Sequence, residues 1–174
     1  MRKLYFRTTL LVLLFLIGSA GFGFAQMVNI KSGAIYTLKS KSNNRLLDVT
    51  NASQDINAKV DCWTDTKSDA QRWVVKKVGK NVYTLTNVGS RMLLHVASTP
   101  ADSVNVDQYT NTSDNTSKWK IVDAGDGSCY LTSAAGETGS FNLSAGGMAD
   151  GSKVNFSKSL DTDSQKWILA FFYE

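Results

Sequence analysis

The chain has 174 residues, 43% of them hydrophobic and 20% charged, with a formal net charge of +4. Three of those positives, Arg2, Lys3 and Arg7, stand ahead of an apolar run, so the chain without them carries +1, with lysines and aspartates mixed along it. That balance excludes a basic nucleic-acid-binding surface, and two cysteines with no Cys/His cluster exclude a structural zinc site.

The first segment is a leader. Arg2, Lys3 and Arg7 precede the unbroken apolar run Leu10 to Ile17, and Gly23-Phe24-Ala25 supplies small residues around a cleavage point. This is the pattern of a signal peptide over 1–25, cut after Ala25. The run is too short to span a bilayer, and no second run of its kind follows. The expectation is a secreted or periplasmic monomer, not inserted in the membrane once cleaved. Residues 26–174 suit one domain with its own core.

Short strands follow in order. Ile35-Tyr36-Thr37-Leu38 is rich in β-formers, and Leu47-Asp48-Val49 and Val60-Asp61-Cys62-Trp63 alternate apolar with polar. Val82-Tyr83-Thr84-Leu85, Leu94-His95-Val96, Cys129-Tyr130-Leu131-Thr132 and Phe141-Asn142-Leu143 read the same way. Between them lie turn-forming clusters such as Lys41-Ser42-Asn43-Asn44, Val88-Gly89-Ser90 and Gly125-Asp126-Gly127. No segment after the leader keeps a helical apolar period over ten residues. Cys62 and Cys129 read either as a disulfide of an exported protein or as two small buried hydrophobes.

The strands repeat. Tyr36, Tyr83 and Tyr130 are 47 residues apart, and the triplets at Leu47, Leu94 and Phe141 fall at the same intervals. Trp73, Trp119 and Trp167 follow, each with a valine thirteen residues earlier: Val60, Val106 and Val154. Three units, about 33–79, 80–126 and 127–174, therefore carry about four strands each. Three are too few to close a propeller ring, so the units are expected to close a small barrel with a cap.

The tryptophans sit in Gln71-Arg72-Trp73, Ser117-Lys118-Trp119 and Gln165-Lys166-Trp167. Three Gln-x-Trp-like motifs in register, each with a Leu-Asp-Val-like strand upstream, resemble the ricin B-chain type β-trefoil lectins over about Gly33 to Leu169. The resemblance implies an all-β trefoil that binds a glycan or polysaccharide, uses no cofactor or metal and performs no chemistry.

The motif tryptophans read as core. Trp63 differs: its counterparts ten residues before each motif tryptophan are Tyr109 and Ser157, and such variation suits a surface position. The resemblance makes Trp63 the aromatic platform of a sugar pocket, Asp48 its carboxylate and Gln71 its amide. Asp61, two residues before Trp63, is expected to add a contact. Ala70 replaces the family's usual asparagine, which removes a hydrogen bond associated with galactose. A weaker second site comprises His95, Asp107 and Tyr109, with Ser117 at the glutamine position. The third unit, with Asn142, Ser157 and Gln165, lacks a platform. No nucleophile motif or facing pair of carboxylates points to an enzyme. The rival reading is a trefoil that binds protein, such as a protease inhibitor or receptor ligand, through a protruding loop at Val96 to Val104 or Ala134 to Ser140.

Overall fold

The computed structural model of the protein describes residues 29–110, 114–136 and 141–172. The expected leader and its cleavage point lie outside these residues. The first set of strands is β1 (Ala34–Ser40), β2 (Leu46–Val49), β3 (Val60–Trp63) and β4 (Trp73–Gly79). The second is β5 (Val82–Asn87), β6 (Leu93–Val96), β7 (Val106–Tyr109) and β8 (Trp119–Asp123). The third is β9 (Cys129–Ser133), β10 (Phe141–Ala145), β11 (Ser152–Lys158) and β12 (Trp167–Phe171).

Strands β1, β4, β5, β8, β9 and β12 pair antiparallel in that order, and β12 returns to β1, closing a six-stranded barrel. Closure leaves no free barrel edge. The hairpins β2–β3, β6–β7 and β10–β11 lie outside the barrel. They meet around the pseudo-three-fold axis, where Lys59 faces Asp107, Asn105 faces Asn155 and Lys153 faces Asp61. The fold is the β-trefoil expected from the repeats.

Each motif tryptophan fastens a hairpin to the barrel. Trp73, Trp119 and Trp167 are fully buried. Their indole N–H groups donate to the carbonyls of Leu47, Leu94 and Leu143 at 3.0, 2.9 and 2.9 Å. These bonds correct the register of the third unit. The 47-residue spacing equates Phe141 with Leu47, whereas the indole bond and the pairing of Ala145 with Val154 make Leu143 the equivalent. Ser40, Asn87 and Ser133 are equivalent, each paired with the preceding unit's motif tryptophan, so β9 lies one residue early and the segment from Ser133 to Leu143 is longer by three. The net displacement from the 47-residue spacing is two, which keeps the strand alternation intact. The position of Asp48 is therefore taken in the third unit by Ser144, not Asn142.

The motif glutamines hold loops. Gln71 accepts from Thr66 N at 2.8 Å and donates to Thr64 O at 2.9 Å, and Gln165 accepts from Leu160 N at 3.0 Å and donates to Lys158 O at 2.6 Å. Ser117 is too short for this role, and its buried hydroxyl has no partner among the described residues. An orphaned buried hydroxyl costs free energy that a methyl does not. Ser117→Ala is expected to leave stability unchanged or raise it by up to about 1 kcal/mol, as a urea melt would read.

Cys62 and Cys129 are both free and buried, which settles the two readings in favour of small core residues. Burial pushes the Cys62 thiol up to about 12 and raises Cys129 as well, so neither is a thiolate at neutral pH.

Candidate functional site

Strand alternation decides what the first hairpin offers to solvent. On β2, Leu47 and Val49 enter the core, and Asp48 between them points away from it. On β3, Val60 and Cys62 are core residues, and Asp61 and Trp63 point to the other face. Asp48 stands opposite Asp61, and Trp63 opposite Leu46. Trp63 is 38% exposed, against none for the motif tryptophans.

Asp48 and Trp63 line one cavity of about 190 Å³. Its other walls are Asn51, Ala52, Thr66, Ser68 and Ala70. The cavity therefore presents an indole, a carboxylate, a primary amide and two hydroxyls, the last three within short loops. Ala70 forms a wall with no polar side chain. Asn51 and Ala52 both have left-handed backbones, with φ of 56° and 50°. The turn between β2 and β3 bends sharply there and brings both residues against the cavity.

Burial pushes the Asp48 carboxyl up to about 6; the nearby Asp61 charge adds to the rise, and hydrogen bonding from Gln71 opposes it. At neutral pH it is a carboxylate in a recess that disfavours charge, an arrangement common where a ligand supplies the missing donors.

Two supports fix the platform. Gly151, with φ of 78°, comes close enough under the Trp63 ring that an added methyl would lie 3.5 Å from Cζ3. Its neighbour Asp150 accepts from Thr64 N at 2.8 Å, Thr64 Oγ1 at 2.9 Å and Arg45 Nε at 2.7 Å. The third unit's turn thus holds the chain leaving Trp63.

The predicted residues separate into three groups. Asp48 and Trp63 come together in the cavity. Gln71 lies beneath it, 1% exposed, with both ends of its amide bonded to the 64–66 backbone. Asp61 is buried, accepts from Thr50 Oγ1 at 2.9 Å and lines a different cavity. Asn51, Ala52, Thr66 and Ser68 were not singled out by sequence. The signal available was position: chain joining Asp48 to Trp63, and Trp63 to Gln71, must wrap whatever those residues surround.

In the second unit, His95 Nδ1 and Asp107 Oδ1 are 2.7 Å apart. The imidazole also stacks on Tyr109, with centroids 5.0 Å apart and planes at 29°. Burial raises the Asp107 carboxyl, and the bond to His95 opposes that. The protein's own histidine thus occupies one face of the Tyr109 ring. In the third unit Ser144, Asn155 and Ser157 take the places of Asp48, Asp61 and Trp63.

Among the described residues no group of three or more His, Cys, Asp or Glu could hold a metal ion. Asp126, Asp161 and Asp163 are instead paired with Lys41 and Lys166. No helix of the described residues is long and apolar enough to cross a membrane.

The model of a family described as "ricin-type beta-trefoil lectin domain-like" matches residues 24–109 and 69–157. Comparison with curated proteins finds no match. Among solved structures, the designed three-fold symmetric protein ThreeFoil is 29% identical with a TM-score of 0.75, over 79% of this chain and 99% of its own. The Rhizoctonia solani agglutinin is 26% identical with a TM-score of 0.74, over 83% of this chain and 99% of its own. An exo-beta-1,3-galactanase from Clostridium thermocellum is 27% identical with a TM-score of 0.74, over 83% of this chain but only 31% of that enzyme.

Proposed function

We propose, from the premise that the chain belongs to the family of ricin-type β-trefoil lectin-like domains, that it is an exported, non-catalytic carbohydrate-binding protein whose sugar seat is the first-unit cavity. The observation that carries this reading is the pairing of a half-open Trp63 with Asp48 in one recess. One face of a pyranose ring is mostly C–H and lies against an aromatic face, while the hydroxyls need fixed polar partners. Asp48 accepts from two neighbouring hydroxyls, and Asn51, Thr66 and Ser68 ring the remainder. Gln71 acts from below, as a positioning residue for Thr66. The second unit, with His95 against Tyr109, contributes less.

A shallow seat with one platform supports a dissociation constant in the millimolar to high-micromolar range, about 4 to 6 kcal/mol. Useful avidity then comes from several copies or clustered ligands.

A glycan array on residues 26–174, repeated with Trp63→Ala, tests the reading. Binding is expected in the parent and is expected to fall at least tenfold, about 1.4 kcal/mol, in the variant. Equal binding by both forms would move the seat elsewhere. Binding of a protease or receptor with no glycan bound would replace the function.

A further inference from the structure

A second cavity is larger than the one beside Trp63. It measures about 420 Å³ and lies where the three hairpins meet. Its floor is Val60, Val106 and Val154, the same position of each unit, all buried. Lys59 and Lys153, each directly before its valine, line it as exposed cations, and neither has an ion-pair partner among the described residues.

Asp61 lines it as well and is 94% buried, at 6% relative exposure. Thr50 takes its Oδ2, but its Oδ1 is buried with no partner among the described residues. Buried carboxylate oxygens are normally satisfied, and one left without a partner in a residue that lines a cavity marks a place for a donor. The equivalent carboxylate of the second unit, Asp107, is closed by His95. The first unit therefore differs from the second at this position in keeping a buried carboxylate oxygen without a partner, and the third unit has Asn155 there. Lys153 stands directly opposite Asp61 in the β11–β3 pairing, so the two residues share one wall of the cavity.

We propose that this axial cavity binds an acidic sugar: a uronate ring whose carboxylate lies between Lys59 and Lys153, with a ring hydroxyl donating to Asp61 Oδ1 and its C–H face on the three valines. The parts have separate jobs. The lysines select the anion and attract it over the Debye length. Asp61 rejects an anion that brings no donor, because two carboxylates would then meet unrelieved. The valines remove apolar surface from water without fixing orientation.

This site is independent of the Trp63 seat, and the experiment keeps the two apart. D-Glucuronate, D-glucose and cyclohexanecarboxylate are titrated in turn into methyl-labelled protein, and the Val60, Val106 and Val154 signals are followed. Glucuronate is expected to shift all three saturably, in parent and in Trp63→Ala alike. Glucose and cyclohexanecarboxylate are expected to bind at least fivefold more weakly, the first lacking the charge and the second the hydroxyls. Lys59→Gln with Lys153→Gln, both at exposed positions, is expected to weaken glucuronate at least fivefold. Absence of valine shifts, equal shifts with glucose, equal or tighter binding of cyclohexanecarboxylate, loss of the shifts in Trp63→Ala, or indifference to the lysine changes would each overturn the proposal.

Discussion

Replacing Trp73 by alanine is expected to lower the free energy of unfolding by about 3–5 kcal/mol, whereas Trp63→Ala changes it by less than about 1 kcal/mol. The two residues are ten positions apart and chemically identical, so the contrast isolates environment. Trp73 is fully buried in the cluster that joins barrel and cap. Its removal leaves a large cavity that close-packed neighbours fill only in part. It also takes the indole donor from the Leu47 carbonyl, whose bond holds the first hairpin down. Trp63 keeps 38% of its surface in water and rests an edge on Gly151, so solvent replaces much of what is lost. Urea melts of the two variants beside the parent read both values. A Trp63→Ala loss as large as that of Trp73→Ala would mean that Trp63 is core, and the case for a platform would go with it.

The legible part of this molecule was whatever the three units share. Trp73, Trp119 and Trp167 recur because each does the same mechanical task. The tyrosine spacing misleads at its third member: Tyr36 and Tyr83 pair with their motif tryptophans and are buried, whereas Trp167 pairs with Cys129, so Cys129 takes that core place and Tyr130 faces the other way. The third-unit register was less legible because residues added before β10 leave no trace in a period counted from its ends. Ser144 emerges only from the pairing of Ala145 with Val154. Site residues were legible in pairs only. Alternation places Asp48 and Trp63 on the outward face of one hairpin, but it also places Asp61 there. What separates Asp61 from them is the path of the Thr50–Ala52 turn, whose left-handed residues no spacing rule reveals. Gln71 illustrates the converse: a side chain with the right chemistry, already engaged by the backbone of its own loop.

Between pH 7 and pH 5 the protein is expected to become more stable while its affinity for neutral sugar falls about tenfold. Both follow from Asp48, whose carboxyl is pushed up to about 6 from an ordinary 3.8. A raised acid holds its proton in the folded state at a pH where the unfolded chain has released it. Folding is therefore favoured as pH falls through 6 toward 3.8, and the gain is lost as pH rises back through 6. Asp61 and Asp107 are shifted in the same direction and add to the trend. Carboxylates held low by partners, such as Asp65 beside Lys67, oppose it only below the ordinary value. The stability gain from Asp48 over this range is about 1–2 kcal/mol, less than the full shift because pH 5 still lies above the ordinary value. Sugar binding runs the other way, because a protonated Asp48 gives up its place as a double acceptor. Asp48→Asn separates the two effects: it is expected to stabilise the protein at pH 7 by relieving the charge beside Asp61, to weaken sugar binding about tenfold, and to remove most of the pH dependence of both. Thermal melts and sugar titrations at pH 7 and pH 5, on parent and variant, read all of this. Affinity that is flat with pH in the parent would show that the carboxylate does not touch the sugar, whatever Trp63 does.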